Sequence, residues 1–295
     1  MSTPTYDDGL DDRTHDPDRA HPLVDVWWLA THLREDGLTV LDASLPPHDA
    51  GGVGIPGARR FDLEGAFSDP EAPLPHTMPS AEAFEAEARR LGVADEGTVV
   101  VYDARELFSA ARAWWMFAAM GHQRVAVLDG GLAAWRAAGF DVEPLAADEA
   151  ERDDAGSFVA APVEGMIVDA DAVADALADD DAAVLDARSH GRFVGADPEP
   201  REGLRGGHMP GAGNLPYLSV QDDGRMRPSR ELADAVREAA GGRRRLVFSC
   251  GSGVTACVGA LAARMAGYGD VAVYDGSWTQ WGAADSGRPV VTGEA

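Results

Sequence analysis

Short apolar runs and segments with helical periodicity alternate along most of the chain. The predicted strands lie at 38–41, 98–102, 125–128, 183–185, 246–249 and 271–274. The predicted helices lie at 80–91, 110–120, 132–138, 173–177, 229–240 and 256–265, with a last helix from Ser277 onward and a further segment of helical spacing at 21–36. Strands that alternate with helices through short connections predict parallel sheets covered by helices on both faces, which is an α/β fold.

This pattern runs through the chain twice. The segments 41–43, 55–58 and 129–135 match the segments 185–187, 209–212 and 275–281, in the same order and at similar spacing. Three such matches indicate a tandem duplication. The alignment of the two copies places Asp103 where Cys250 lies, so only the second copy keeps a nucleophile.

The duplication defines the predicted domains. We expect a non-catalytic N-terminal domain at 21–145 and a catalytic C-terminal domain at 163–295. Residues 146–162 are rich in acidic and small side chains, which suits a linker. The polar, Asp-rich residues 1–20 predict a disordered acidic tail.

A cysteine stands at the end of the most informative strand. The apolar run 246–249 stops at Cys250, Gly251 and Gly253 follow within three residues, and good helix formers continue from Ala256. A thiol in this place faces the backbone N–H groups of the loop and the positive end of the next helix, and both stabilise a thiolate. The alternative is a buried structural cysteine. The strand-to-helix turn favours a nucleophile, because α/β proteins place active sites there.

The charge of the chain restricts its partners. Asp and Glu number 50 against 25 Lys and Arg, all of them Arg, and the formal net charge is −25 at pH 7. A chain this acidic is not expected to bind nucleic acid or an anionic membrane. It is compatible with solubility at very high salt, where self-repulsion is screened, so we predict a halophilic protein.

The two cysteines, Cys250 and Cys257, are too few for a disulfide framework, and their spacing is not that of zinc ligands, so no metal site is predicted. Cys257 is expected to be a packed apolar residue. No apolar run approaches the roughly 18 to 20 residues that cross a bilayer, and the N-terminal residues have neither region of a signal peptide. These features predict a cytoplasmic protein.

Four motifs carry a resemblance to a known family. They are Cys250-Gly251-Ser252-Gly253-Val254-Thr255, Gly207-His208-Met209-Pro210-Gly211-Ala212, Asp275-Gly276-Ser277-Trp278, and Gly191-Arg192-Phe193 followed by Pro198-Glu199-Pro200-Arg201. Over residues 22–291 the chain resembles the two-domain rhodanese family, and within it the 3-mercaptopyruvate sulfurtransferases. The resemblance implies two tandem rhodanese-like domains, each a central, mainly parallel sheet flanked by helices on both faces.

The resemblance also implies a reaction. In this family the cysteine takes a sulfane sulfur from a small anionic donor, becomes a persulfide, and passes the sulfur to cyanide, a thiol or thioredoxin without any cofactor. The thiosulfate-using members have Arg and Lys directly after the cysteine, where this chain has Gly251 and Ser252, as in mercaptopyruvate enzymes. A neutral loop binds a dianion less well and leaves room for a keto acid. Transfer from 3-mercaptopyruvate through Cys250 is therefore expected, and transfer from thiosulfate to cyanide is the alternative.

An anionic donor needs local positive charge in so acidic a chain. Arg192 and Arg201 correspond to the arginines that bind the substrate carboxylate in the family, and a planar guanidinium can grip a carboxylate with two hydrogen bonds. Arg188 is a further candidate, equally compatible with an ion pair to a buried carboxylate. The rest of the predicted binding set lies in the cysteine loop: Gly251, Gly253, Val254 and Thr255.

The resemblance further implies a proton relay that serves the thiol. Ser252 matches its serine and His76 matches its histidine. Glu64 falls where the family has an aspartate, and its side chain is one methylene longer. The alternative for His76 is a solvated loop histidine.

Two other classes of function are compatible with the same fold. A cysteine phosphatase needs an arginine six residues after its cysteine to hold phosphate, and this chain has Ala256 there. A non-enzymatic rhodanese-like binding module would need neither Cys250 nor paired arginines. Both alternatives are therefore disfavoured for the whole chain.

Overall fold

The computed structural model describes residues 22–47, 49–105, 107–145 and 156–294. The first half contains β1 (Leu23–Val24), α1 (Val26–His32), β2 (Leu38–Asp42), β3 (Val53–Gly54), β4 (Arg59–Arg60), α2 (Ala81–Arg90), β5 (Thr98–Tyr102), α3 (Ala110–Ala119), β6 (Val125–Leu128), α4 (Gly131–Ala137) and β7 (Glu143–Pro144). The second half contains β8 (Ile167–Val168), α5 (Ala170–Leu177), β9 (Ala182–Asp186), α6 (His190–Val194), β10 (Gly213–Asn214), a 3-10 turn (Tyr217–Val220), β11 (Gln221–Asp222), β12 (Arg225–Met226), α7 (Ser229–Ala240), β13 (Arg245–Ser249), α8 (Ala256–Met265), β14 (Asp270–Tyr274) and α9 (Ser277–Trp281).

Each half is built on a five-stranded parallel sheet. The strand order is β1-β6-β5-β2-β4 in the first half and β10-β9-β13-β14-β8 in the second. Equivalent strands occupy equivalent places, so β5 and β13 lie at the centre of their sheets. The register runs from Leu38 opposite Thr98 in the first sheet and from Ala182 opposite Arg245 in the second. The predicted α/β fold and its duplication are therefore confirmed.

The local sequence explains where the elements begin. The strands Thr98–Tyr102 and Val125–Leu128 have the predicted bounds. Both are rich in valine, a β-branched residue that suits a strand buried on both faces of a sheet. Helix α2 begins after Ser80, whose hydroxyl accepts the N–H of Ala83 at 3.2 Å. The segment 21–36 divides into β1 and α1 because Asp25 caps the helix by accepting the N–H of Trp28 at 2.7 Å.

One apolar cluster joins the two halves. It contains α2, α3 and the Phe61–Phe67–Phe84–Phe117 rings of the first half together with α7 and α8 of the second half. Eight successive small or apolar residues of α8, from Ala256 to Ala263, are buried. Each sheet has a second apolar cluster on its other face. The shared cluster brings the carboxyl end of β13 against the first half.

Residues 156–162, the end of the predicted linker, lie on the first half. The N–H groups of Gly156, Phe158 and Ala161 donate to carbonyls of that half at 2.9, 3.1 and 2.9 Å. The ring of Phe158 is buried beside Phe84 and Phe117. The remainder of the predicted linker and the predicted tail at 1–20 lie outside the described residues. Within the described ranges, no helix combines the length and the apolar character that crossing a bilayer requires.

Candidate active site

A cleft between the two halves contains most of the predicted site residues. Its volume is about 470 Å³, and its walls come from both halves. The residues of the first half on its walls include Pro46, Pro47, Glu64, His76, Arg105 and Phe108. Those of the second half include Arg188, Arg192, Arg201, Tyr217, Leu218, Cys250, Gly251, Ser252, Val254 and Thr255. The carboxyl ends of β9 and β13 open into this cleft, which is where α/β sheets bind ligands.

The cysteine loop is held by the start of α9. Cys250 is 2% exposed, and its N–H donates to Oγ of Ser277 at 3.1 Å. The carbonyl of Cys250 accepts the N–H of Trp278 at 2.9 Å. The carbonyl of Gly251 accepts the N–H and the hydroxyl of Thr279 at 2.9 and 2.6 Å. The thiol is therefore presented by a backbone that is fixed by hydrogen bonds.

Two glycines of this loop have little free space around them. A Cβ atom added to Gly253 would lie 2.9 Å from the carbonyl oxygen of Asp275, and the φ of Gly253 is +79°, which favours glycine. A Cβ atom added to Gly251 would lie 3.3 Å from Nη2 of Arg192 and 3.9 Å from Nη1 of Arg201. Both guanidinium groups therefore reach the residue that follows the cysteine.

A buried glutamate holds Arg192 in place. Nη2 of Arg192 donates to Oε2 of Glu199 at 2.6 Å, and the Glu199 side chain is only 2% exposed. Sequence reasoning did not assign Glu199, although it lies within the Pro198–Arg201 motif. Arg201, by contrast, is exposed, and it lines the cleft from the loop after α6.

Arg188 is engaged on all sides. Its guanidinium is fully buried and donates to the carboxylates of Asp186 and Glu199, at 2.6 and 2.7 Å for the shortest contacts. It also donates to the carbonyl of Gly207 at 2.7 Å and lies 4.0 Å from the centre of the Trp278 ring. These contacts favour the ion pair among the two alternatives for Arg188. Its role is to hold Glu199, which in turn holds Arg192.

His76 of the first half meets Ser252 of the second. Nδ1 of His76 lies 3.0 Å from Oγ of Ser252, although the two residues are 176 positions apart. Burial first, and then the positive charges of Arg112 and Arg201, lower the pKa of His76 to about 4. His76 is therefore neutral at pH 7 and is able to accept a proton through the Ser252 hydroxyl. This favours the relay over a solvated loop histidine.

Glu64 occupies a different place from the one that a strict relay requires. It is exposed on the cleft wall, and in the described part of the chain no hydrogen bond joins its carboxylate to His76. The carboxylate that acts on His76 is that of Asp275. Its negative charge raises the pKa of the histidine, but burial, Arg112 and Arg201 together lower that pKa more. Asp275 went unassigned in the sequence, although its recurrence as Asp129 in the duplicated motif is a signal that could have found it.

The equivalent loop of the first half carries its own anion. The carboxylate of Asp103 accepts the N–H groups of Arg105, Ser109 and Ala110 at 2.9, 2.8 and 2.7 Å. Burial raises the pKa of Asp103 to about 6. The backbone N–H groups of this loop are therefore bound by the Asp103 side chain. In the second half, Cys250 places a thiol at the equivalent position.

Cys257 lies on the far side of the cysteine loop. It is fully buried on α8, and its Sγ donates to the carbonyl of Gly253 at 3.3 Å. Burial raises the pKa of this thiol to about 12. Cys257 is thus a packed residue that stays protonated, as expected from the sequence.

Comparisons with known proteins agree with this geometry. The family model "Rhodanese-like domain" matches residues 25–138 and 169–284. The chain is 39% identical over 289 residues to thiosulfate/3-mercaptopyruvate sulfurtransferase 1, mitochondrial, of Arabidopsis thaliana, with 89% of this chain and 76% of the relative covered. It is 39% identical over 272 residues to the 3-mercaptopyruvate sulfurtransferase of Escherichia coli (strain K12), with 88% and 95% covered.

A solved structure gives the same result for the fold. The crystal structure of SseA from Escherichia coli, a 3-mercaptopyruvate sulfotransferase with the rhodanese fold, superposes with a TM-score of 0.76 at 35% identity. The match covers 87% of this chain and 98% of that one. Two matched domains, relatives that cover most of the chain, and a cysteine loop in the interdomain cleft all agree. The chain therefore belongs to the rhodanese family, as a sulfurtransferase with two rhodanese-like domains.

Proposed function

We propose that the chain transfers a sulfane sulfur from 3-mercaptopyruvate to a thiophilic acceptor through a persulfide on Cys250. The observation that carries the proposal is the meeting of one buried thiol, a neutral loop and two guanidinium groups in a single cleft. Arg192 and Arg201 both lie within reach of Gly251, next to the thiol. A small keto acid offers a carboxylate for this pair and a carbonyl for the uncharged loop.

The chemistry needs one nucleophile and one proton carrier. Neutral His76 accepts the proton of the Cys250 thiol through Ser252, and the thiolate attacks the sulfur of the donor. A sulfur–sulfur bond forms as the carbon–sulfur bond of the donor breaks, and the electron pair of that bond leaves as the enolate of pyruvate. The proton held by the relay then moves to the enolate carbon, so pyruvate departs and Cys250 remains as a persulfide.

The second half of the cycle restores the cysteine. A cyanide ion or a thiolate attacks the outer sulfur of the persulfide, the sulfur–sulfur bond breaks, and its electron pair returns to Cys250 as a thiolate. Thiocyanate or a new persulfide carries the sulfur away. Small acceptors and a thioredoxin-like protein thiol both fit this step. Neither step consumes an oxidant, a reductant or a metal ion.

Thiosulfate is the second donor that the cleft suits. Among the described residues, four arginines (Arg105, Arg188, Arg192 and Arg201) and one acidic residue (Glu64) line the space, while Asp186 and Glu199 pair with Arg188 and Arg192 from behind. This excess of positive charge favours a dianion. The neutral residues Gly251 and Ser252 favour the keto acid. Comparing kcat/KM for the two donors tests the choice, and a large preference for thiosulfate would reverse it.

Mass spectrometry of the intact protein and of its proteolytic peptides tests the persulfide itself. Exposure to 3-mercaptopyruvate is expected to add the mass of one sulfur atom to the peptide that contains Cys250, and cyanide is expected to remove it. The failure of every donor, including thiosulfate, to add sulfur would contradict the proposed function.

The relay gives a separate prediction. In Ser252→Ala or His76→Gln, kcat for 3-mercaptopyruvate is expected to fall by about 100-fold, because positioned proton transfer typically contributes that much or more. Steady-state kinetics would measure the fall. The matched control is Ser249→Ala, since the Ser249 hydroxyl is buried beside Cys250 and has no hydrogen-bond partner in the described part of the chain. Equal losses in all three variants would count against the relay.

The net charge of −25 supports a protein adapted to high salt. Its melting temperature is expected to rise by at least about 5 °C between low salt and molar KCl, because salt screens the repulsion among surface carboxylates. Calorimetry at a fixed pH would measure the change. A melting temperature that stays constant or falls would contradict the halophilic proposal. The free thiols of Cys250 and Cys257 further support a reducing, cytoplasmic location.

A further inference from the structure

We infer that Arg112 is a positioning residue that holds His76 against Ser252 across the interface between the two halves. The inference rests on the proposed function in one respect: it takes the His76–Ser252 pair as part of the reaction. Arg112 itself stands behind the cleft, outside its walls, and acts through the histidine. Neither the sequence motifs nor the family resemblance points to it.

The contacts of Arg112 connect three segments. It is fully buried on α3, and its Nη2 donates to the backbone carbonyl of His76 at 2.8 Å and to Oδ1 of Asp275 at 2.6 Å. The other oxygen of Asp275 accepts the N–H of Met78 at 2.9 Å. Residues 76–78 are thus held at both ends by one buried ion pair. Nη1 of Arg112 would lie 3.5 Å from a Cβ atom on Gly253, so the same guanidinium lies against the cysteine loop.

The backbone of His76 needs such support. Its φ is +59°, in the left-handed region that side chains with a Cβ atom rarely adopt. In that conformation the ring lies 3.0 Å from Ser252. A residue keeps an unfavourable backbone conformation only where surrounding contacts fix it. The hydrogen bond from Arg112 to the carbonyl of His76 is a contact of this kind.

The duplicated structure provides an internal comparison. In the other half, Asp129 accepts the N–H of Met226 at 2.9 Å, just as Asp275 accepts that of Met78. There Gly224, with φ +74°, stands two residues before the methionine, where His76 stands in the first copy. The cation of that second contact is the partly exposed Arg225, which lies next to Met226. The buried Arg112 of α3 thus pairs with the aspartate of the copy that contains a histidine, whereas the described arginine on Asp129 is partly exposed.

Stability alone does not account for Arg112. Two of its nitrogens, Nε and Nη1, have no hydrogen-bond partner among the described residues. Burying a guanidinium that is only partly satisfied is unfavourable compared with burying an apolar side chain of similar size. The rest of α3 is apolar or small, so a methionine at 112 would match its surroundings. The positive charge at position 112 is therefore explained by its hydrogen bonds to the carbonyl of His76 and the carboxylate of Asp275.

Arg112 also acts on the protonation of His76. Four charged or polar groups act on the ionisation of His76: Arg112 from α3, Arg201 from the loop after α6, Ser252 from the cysteine loop and Asp275 before α9. The same cleft contains Glu64, Arg105, Arg188, Arg192 and Cys250. The pKa of His76 is lowered by burial first, and then by Arg112. Without Arg112, Asp275 is left without its counter-charge, and the pKa of His76 is expected to rise.

The test combines a titration with kinetics in the full chain. The ¹⁵N signals of His76, assigned by their loss in His76→Gln, are expected to titrate near pH 4 in the parent protein and at a higher pH in Arg112→Met, where burial and Arg201 still lower the pKa but Arg112 no longer does. With 3-mercaptopyruvate as donor, kcat is expected to fall by about 30-fold in Arg112→Met, with KM within about threefold. Arg112→Lys keeps the charge and is expected to recover the titration and part of kcat.

Arg225→Met is the matched control, because it removes the cation of the second contact without approaching His76. It is expected to leave the His76 titration and kcat unchanged.

An unchanged His76 titration in a folded Arg112→Met protein would overturn the inference, even if activity were lost. If Arg112→Met does not fold, Asp275→Asn decides in its place. Loss of that carboxylate is expected to move the titration to lower pH, and an unchanged titration would again overturn the inference. A parent protein that never forms a Cys250 persulfide would contradict only the proposed function, since the titration needs no donor.

Discussion

Replacing Cys250 by serine is expected to abolish sulfur transfer and to lower kcat/KM for 3-mercaptopyruvate by at least about 10⁴-fold. The serine side chain has nearly the same shape, so the loop held by Ser277 and Thr279 keeps its hydrogen bonds. A hydroxyl ionises far less readily than a thiol and does not form a persulfide. Pyruvate release in the presence of cyanide would measure the loss, and intact mass would show no added sulfur.

Cys257→Ala is the control for this change, because Cys257 is the second of the two free cysteines. Its thiol is fully buried, donates to the carbonyl of Gly253, and stays protonated. Its removal is expected to change kcat/KM by less than about threefold. Substantial activity in Cys250→Ser, or a loss in Cys257→Ala as large as the loss in Cys250→Ser, would refute the assignment of Cys250 as the sulfur carrier.

Arg192→Ala is expected to raise KM for 3-mercaptopyruvate by about 10- to 100-fold, since a hydrogen-bonded charge pair contributes about 1.5 to 3 kcal/mol. The value of kcat is expected to change little, because the persulfide chemistry does not use the guanidinium. Glu199 stays paired after the substitution, since Arg188 donates to its Oε1 at 2.7 Å. Initial rates over a wide range of donor concentration would separate KM from kcat.

Two further variants sharpen the Arg192 measurement. Arg192→Lys keeps the charge and loses the two-pronged geometry, so its KM is expected to lie between those of the parent and the alanine variant. Arg237→Ala removes an arginine that is 62% exposed on α7, far from the cleft walls, and controls for the general loss of a positive charge. An unchanged KM in Arg192→Ala would remove Arg192 from the donor site.

Much of the fold was predictable because its signals are local. The strands Thr98–Tyr102 and Val125–Leu128 are continuous apolar runs, and Ser80 precedes its helix with a capping side chain. The thiol and the arginines were predictable because they lie in motifs of the cysteine loop and of the loop after α6. Strands of two residues, such as Arg59–Arg60 and Gly213–Asn214, have no periodicity to detect. Pairing with a neighbouring strand alone makes them part of a sheet.

The contacts that the sequence did not predict all depend on how the two halves meet. Arg112 and Asp275 are 163 positions apart, and no pattern along the chain relates a charged residue in an apolar helix to a distant aspartate. The same holds for Glu64, which was expected to act on His76 from its position in the family motif. The position of a side chain relative to a neighbour from the other half is fixed by docking. Such contacts therefore had to be observed.

The shared cleft has a consequence for how such a chain can evolve. Each copy of the repeat has its own sheet, yet the histidine belongs to one copy and the cysteine to the other. In the first copy, the carboxylate of Asp103 accepts backbone N–H groups of its own loop at the position that Cys250 occupies in the second copy. The chain thus arose by duplication of a single repeat. Selection for sulfur transfer, however, acts on the two repeats together, because each supplies part of the active site.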